Sequence, residues 1–141
     1  MKILGIDLGK ARTGLAVSDS SEKLAFPLKT LKECSEENLL LNVLDIIKKA
    51  NIKRVIVGLP KNMNATESKG ADRARRFGRA IENKTRNVEV IMQDERMTTI
   101  IAHRYLNDAN VKSRKRKIIV DTVAATVILQ SFLDLQNSSS N

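Results

Sequence analysis

A single cysteine, Cys34, no tryptophan, one tyrosine and three phenylalanines stand in a chain of 141 residues. One cysteine excludes an internal disulfide and leaves a cysteine-based zinc site without support. The shortage of aromatics argues against a surface that grips single strands by stacking bases on side chains. No apolar run approaches the ~20 residues that span a bilayer, and the N-terminus lacks the layout of a secretion signal. No G-x-x-x-x-G-K-[ST] phosphate loop is present either. Lys2 leads straight into strand-like sequence, so the fold is expected to start at Met1, in a reducing cytoplasm.

What is present is charge of one sign. Twenty-five Lys and Arg against sixteen Asp and Glu leave a net charge of +9, which points to a polyanionic partner. The excess is concentrated. Lys69, Arg73, Arg75, Arg76 and Arg79 fall in one segment, and Lys112, Arg114, Lys115, Arg116 and Lys117 in another. Solvated helix faces and a basic loop are the plain alternative for both. With few aromatics, contact with the backbone of structured or double-stranded nucleic acid fits best. Lys69, Arg73, Arg76, Arg114, Lys115, Arg116 and Lys117 are the candidate contacts.

The hydrophobic fraction of 42% suits one globular domain, expected over 1–136 with a polar tail at 137–141. Residues 2–8, 11–18 and 24–31 read as three strands joined by tight turns, with Pro27 marking an edge position. The period then changes. Ser35 can cap a helix whose stripe is Leu40, Val43, Leu44 and Ile47. Strands at 53–59 and 88–92 alternate with helices, one opening at Thr66 or Ser68 and running to about Lys84, one from Thr98 or Thr99 to about 110. After the basic loop a last helix is expected over 117–135. Three antiparallel strands followed by two parallel ones give an α/β fold, a mixed five-stranded sheet flanked by helices. The ends of its central strands are where chemistry is first sought.

Three acidic positions stand out by placement. Asp7 lies inside the first apolar strand, where a lone carboxylate costs several kcal/mol unless paired or bound to metal; capping the following turn is its bland role. Asp94 and Glu95 follow the strand at 88–92, where the start of a helix or the neighbouring Arg96 could explain them equally. Asp121 shares the apolar stripe Ile118, Ala125, Ile128 and Phe132, and needs a buried partner, which could be a core Lys or Arg. Gathered at one site, three carboxylates repel one another unless a hard divalent cation binds them, Mg²⁺ or Mn²⁺. Such an ion can activate water against a phosphodiester.

The segments Gly5-Ile6-Asp7-Leu8-Gly9 and Thr13-Gly14-Leu15-Ala16-Val17-Ser18-Asp19 resemble the opening of the YqgF (RuvX-type) family, the Holliday-junction-resolvase-like proteins described as pre-16S rRNA nucleases. Val57-Gly58-Leu59-Pro60 through Glu67 is similar to that family's second signature, and Asp94-Glu95-Arg96-Met97-Thr98-Thr99 to its third. Lys115-Arg116-Lys117, Val120-Asp121, Ala124-Ala125 and Ile128-Leu129-Gln130 resemble its fourth. The matches run in order over nearly the whole chain. The resemblance implies an RNase H-like fold, a two-metal phosphodiesterase site and the catalytic, metal-binding acids Asp7, Glu95 and Asp121, with Asp94 a possible substitute for Glu95. Asp19 matches a family position as well, either as a ligand or as a hairpin-stabilising residue. Asn64-Ala65 stands where the family usually has Asp-Gly, and Lys61 replaces an apolar residue, departures that leave the acids intact.

The resemblance implies processing of the 5′ end of precursor 16S rRNA. The alternatives are resolution of branched DNA, which needs two symmetric sites and hence a homodimer rather than a monomer, and a non-catalytic RNA-binding module. An ATP-dependent function is disfavoured, because a nucleotide held between two domains of this type has no room in one.

Overall fold

The computed structural model describes residues 1–32, 35–60, 70–94 and 113–139, and in the last segment the side chains of 123–138. Its elements are β1 (Ile3–Leu8), β2 (Arg12–Ser18), β3 (Ala25–Lys32), α1 (Glu36–Lys49), β4 (Arg54–Leu59), α2 (Ala71–Lys84), β5 (Glu89–Asp94) and α3 (Ser113–Ser139). The strands form one sheet in the order β3-β2-β1-β4-β5. β2 is antiparallel to both its neighbours, and β4 is parallel to both of its own. This is the expected mixed sheet, with β1 second only to none in centrality: it pairs antiparallel on one side and parallel on the other.

Side chains alternate across each strand, and the two faces hold separate cores. Leu4, Ile6, Leu15, Val55 and Val57 join Leu39 and Val43 of α1 and Phe77 and Ile81 of α2 in one cluster. Ile3, Ala16 and Ile56 join Ala125, Ile128, Leu129 and Leu133 of α3 in the other. The buried centre is mostly apolar on both faces, as a sheet covered on both sides requires, with Thr13 and Ser18 of β2 its buried polar residues.

Helix α1 starts as its sequence dictates. The Ser35 hydroxyl accepts a hydrogen bond from the Asn38 amide at 3.1 Å, with Glu36 and Glu37 in the first turn and Lys48 and Lys49 in the last, charges that complement the helix dipole. Helix α2 differs from expectation. Its N-cap is Gly70, in the left-handed region at φ 97°, a conformation that favours glycine; Thr66 and Ser68 lie outside the described residues. The helix expected between 98 and 110 lies outside them too.

Helix α3 is longer than its apolar stripe suggested at both ends. Arg114–Lys117 are helical rather than a loop, consistent with the good helix propensity of Arg and Lys. At the other end the helix continues through the expected polar tail to Ser139, and Asn137 donates to the Glu22 carbonyl at 3.1 Å. Gln136 accepts from Arg54 Nη1 at 2.6 Å and donates to Glu22 Oε1 at 3.0 Å. Gln130 accepts from the Ala25 amide at 2.8 Å and donates to the Lys23 carbonyl at 2.9 Å. These bonds fix the C-terminal half of α3 to the β2–β3 hairpin and to the start of β4.

The same helix crosses β1 at Gly5. A Cβ there would stand 2.9 Å from Leu129 Cβ and 3.2 Å from the Ala125 carbonyl oxygen, both rigid parts of the helix. Gly5→Ala is therefore expected to lift α3 off the sheet and lower stability by about 1–3 kcal/mol; urea denaturation would show a lowered midpoint, and an unchanged midpoint would contradict so close a crossing.

Candidate active site

Asp7 follows Ile3 and Gly5 in the odd series of β1, the face covered by α3, and is half-buried. Its partner on β2 is Gly14. On the other side Ile6 pairs with Val57, and Gly58 is the next residue of β4. The carboxylate is thus flanked by glycine on both neighbouring strands, and both glycines are buried. Gly14 and Gly58 are the residues that sequence reading undervalued; the signal was their place opposite the candidate acid once the strands are paired.

The turn after Asp7 is closed by the Gly9 amide donating to the Arg12 carbonyl at 2.9 Å. A Cβ on Gly9 would overlap that same carbonyl oxygen, so only glycine fits. Arg73 of α2 donates to the Gly9 carbonyl through Nη1 at 2.6 Å. Its Nε and Nη2 reach Glu36 at 3.0 and 2.9 Å. The Arg73 hydrogen bonds, and then the Arg73 and Arg76 charges, hold the Glu36 carboxyl below its ordinary range against the opposing effect of burial. Arg73, expected to meet nucleic acid, fastens α1, α2 and the Asp7 turn together.

Helix α3 brings its own candidate to the same level. Its C-terminal end is bonded to the start of β4, so it runs opposite to β1. From Ala125, which faces Gly5, Asp121 is one turn nearer the helix N-terminus, about 6 Å along the axis. From Gly5, Asp7 is two residues onward, about 6.6 Å along the strand. The backbone of the 121 turn therefore lies beside Asp7; the Asp121 side chain is outside the described residues.

Asp94 is placed differently. It ends β5 as the partner of Leu59, and Leu59 belongs to the core under α1 and α2. Asp94 thus projects on the face opposite to Asp7. Glu95 lies outside the described residues. Among the described residues no group of three or more His, Cys, Asp or Glu gathers as a metal site; of the three expected acids, only Asp7 has a described side chain.

Asp19 has a structural task. It accepts from the Ser21 hydroxyl at 2.5 Å, the Lys23 amide at 2.8 Å and the Leu24 amide at 3.1 Å. The Ser21 bond first, then the two amides, lower its pKa from 3.8 to about 2. It closes the β2–β3 turn, at the end of β2 remote from Gly14, and so away from Asp7. Among the remaining cations, Arg76 is exposed on α2. Arg114, Lys115, Arg116 and Lys117 lie in the opening turns of α3 with side chains outside the description, as is Lys69.

Two outcomes test this geometry. A depressed carboxylate pKa stabilises the fold fully above the unfolded value and loses that effect as pH falls through the folded one. The Tm difference between wild type and Asp19→Ala should therefore be steady above about pH 5 and vanish towards pH 2; a difference that grows on acidification would contradict the hairpin role. Arg73→Ala should cost about 1.5–3 kcal/mol in urea unfolding, as loss of charge-assisted hydrogen bonds does, whereas an arginine serving only nucleic acid would leave stability unchanged.

A family model described as RuvX, Holliday junction resolvase, matches residues 1–135. A protein of Clostridium beijerinckii, named as a candidate pre-16S rRNA nuclease, is 42% identical over 135 residues, 96% of this chain and 97% of its own. One of the same name from Caldanaerobacter subterraneus is 39% identical over 140 residues, 99% of this chain and all of its own. Among solved structures, Thermus thermophilus RuvC in complex with a Holliday junction superposes with a TM-score of 0.57 at 15% identity, over 96% of this chain and 95% of that one. The fowlpox virus Holliday junction resolvase gives 0.57 at 16% identity, over 95% and 99%. These likenesses show the RNase H-like fold.

Proposed function

The chain belongs to the RuvX family, and from that premise we propose that it is a divalent-metal-dependent nuclease that hydrolyses phosphodiester bonds of precursor 16S rRNA at its 5′ end. The observation that carries the reading is the half-buried Asp7, flanked by glycine on both neighbouring strands and level with the 121 turn of α3. The proposed metal-binding acids are Asp7, Glu95 and Asp121. Glu95 is preferred to Asp94 because Asp94 ends β5 on the opposite face of the sheet.

A set made only of carboxylates suits hard oxygen-seeking cations, Mg²⁺ or Mn²⁺. When bound, such a cation supplies an activated water and neutralises charge on the departing oxygen. The residues of the chain do the rest. Asp7 is held at a fixed height by the Gly9 turn and its Arg73 tie. The cations Lys69, Arg76, Arg114, Lys115, Arg116 and Lys117 are proposed to hold the polyanion against the site. Four of these open α3, whose first turn has no acidic residue. Cations there oppose the helix dipole, a cost that a bound phosphate relieves.

RNA is preferred to branched DNA because the full-length relatives at 42% and 39% identity are named for precursor 16S rRNA, while the resolvases share only the fold. Cytoplasmic residence follows from that substrate. No described helix is long and apolar enough to cross a membrane.

The decisive experiment incubates wild type, Asp7→Asn, Asp94→Asn and Glu95→Gln with precursor 16S rRNA leader and with a four-way DNA junction, with and without Mn²⁺. Wild type should cut the RNA only with metal. Asp7→Asn and Glu95→Gln should lose at least about 100-fold in rate, roughly 2.7 kcal/mol of barrier, and Asp94→Asn should stay near wild type. Equal negligible cleavage by all four, with binding retained, would make this a non-catalytic RNA-binding module.

A further inference from the structure

At the end of the sheet remote from Asp7, the last turns of α1 and α2 and the loops entering β4 and β5 enclose a cleft of about 360 Å³. Lys48, Lys53, Lys84 and Arg86 ring it, over an apolar floor that includes Ile47 and Ile52. Among the described residues no acidic one lines it. Two carboxylates of the elements beside it are engaged elsewhere: Asp45 of α1 with Lys49 at 3.0 Å and Glu89 of β5 with Arg54 at 2.8 Å. Among the described residues, none of the four ringing cations has a carboxylate partner.

Ordinary helix capping does not explain the ring. The Ile52 amide closes on the Ile47 carbonyl at 2.9 Å and the Asn51 amide on the Lys48 carbonyl at 3.3 Å, with Asn51 left-handed at φ 53°. This backbone closure satisfies the end of α1 without any lysine side chain. Dipole complementarity accounts for Lys48 and Lys84, but Lys53 and Arg86 come from loops. Four like charges drawn from separate stretches of sequence repel one another across one cleft, and an anion removes that repulsion.

We propose that this cleft is a second phosphate-backbone site, which holds the RNA substrate about 17 Å from the Asp7 level, the length of β4 between Lys53 and Gly58. The assignment rests on the nuclease reading above. The occupant is a polynucleotide long enough to reach the cleavage site and the cleft together, so the cleft contributes to affinity for long structured substrates and nothing to the chemical step.

The test uses Lys53→Ala/Arg86→Ala, which leaves both helices intact, and a control of equal charge change, Lys23→Ala/Lys29→Ala, on the opposite edge of the sheet. Binding is measured without divalent metal, so that cleavage plays no part, to the long precursor leader and to a short hairpin that covers only the Asp7 end. For the cleft variant, affinity for the long RNA should fall about tenfold, and the slope of log K against log salt should decrease by about 1.5. Its hairpin binding, its kcat on the hairpin with Mn²⁺ and its Tm should match wild type, and the control should bind long RNA nearly as wild type does. An unchanged slope, a loss no greater than the control's, or an equal loss on the hairpin overturns the proposal. If wild type binds neither RNA, the nuclease reading falls as well; if wild type binds and cuts while the cleft variant matches it, only the cleft assignment falls.

Discussion

The contact on which the structure depends is the crossing of α3 over β1 at Gly5. There the backbone of a strand meets the Cβ of Leu129 and the carbonyl of Ala125 at distances that admit no further atom. Close packing at this point fixes the height of the helix above the sheet, because the helix cannot move nearer and loses dispersion contacts if it moves away. The polar bonds of Gln130, Gln136 and Asn137 then fix its direction. With height and direction set, the level of every α3 residue against β1 is determined. The alignment of the 121 turn with Asp7 follows from that one crossing and from the rise per residue of helix and strand.

Around Asp7 the neighbouring strands carry glycine, Gly14 on β2 and Gly58 on β4, and both are buried. Each forgoes the roughly 25 cal/mol per Å² of apolar burial that a larger side chain would supply. Arg73 belongs to the same economy of position: its guanidinium faces inward to Glu36 and the Gly9 carbonyl, and what it gives the site is rigidity.

Much of this was legible in the sequence, and the exceptions have physical causes. The strands of β1, β2 and β4 declare themselves by apolar alternation or continuous β-branched runs, and Ser35 as a cap is confirmed by its bond to Asn38. Ala125 and Ile128 lie on the buried stripe of α3 that placed Asp121 beside them. Helix ends were harder to see. The apolar stripe ends where packing against the sheet ends, but the helix continues in both directions on propensity and on the bond of Asn137 to the hairpin. β5 was expected to stop at Met92, yet its pairing with β4 runs on to Asp94. That extension decides which face Asp94 takes, something only pairing in three dimensions can tell. Sequence position suggested for Arg73 a role in binding; the bonds it makes to Glu36 and Gly9, 37 and 64 residues away, are invisible in one dimension.

The same limit explains why runs of like charge are an incomplete guide to where a polyanion binds. A run such as Arg114–Lys117 is conspicuous in one dimension. The ring of Lys48, Lys53, Lys84 and Arg86 is not, because it is assembled by two helix ends and two loops meeting at one end of the sheet. Conversely, Arg73 sits within a conspicuous run and bonds within the fold. Net charge is therefore a sum over cations with different duties, and only the fold separates them. Those facing carboxylates or carbonyls act on stability. Those that converge without a carboxylate raise the local potential, and here they do so where β4 and β5 begin, at the end of the sheet opposite Asp7. A flexible anion of one residue would gain from one end alone; a long polyanion gains from both, which is why the length of the nucleic acid is the variable that distinguishes the two.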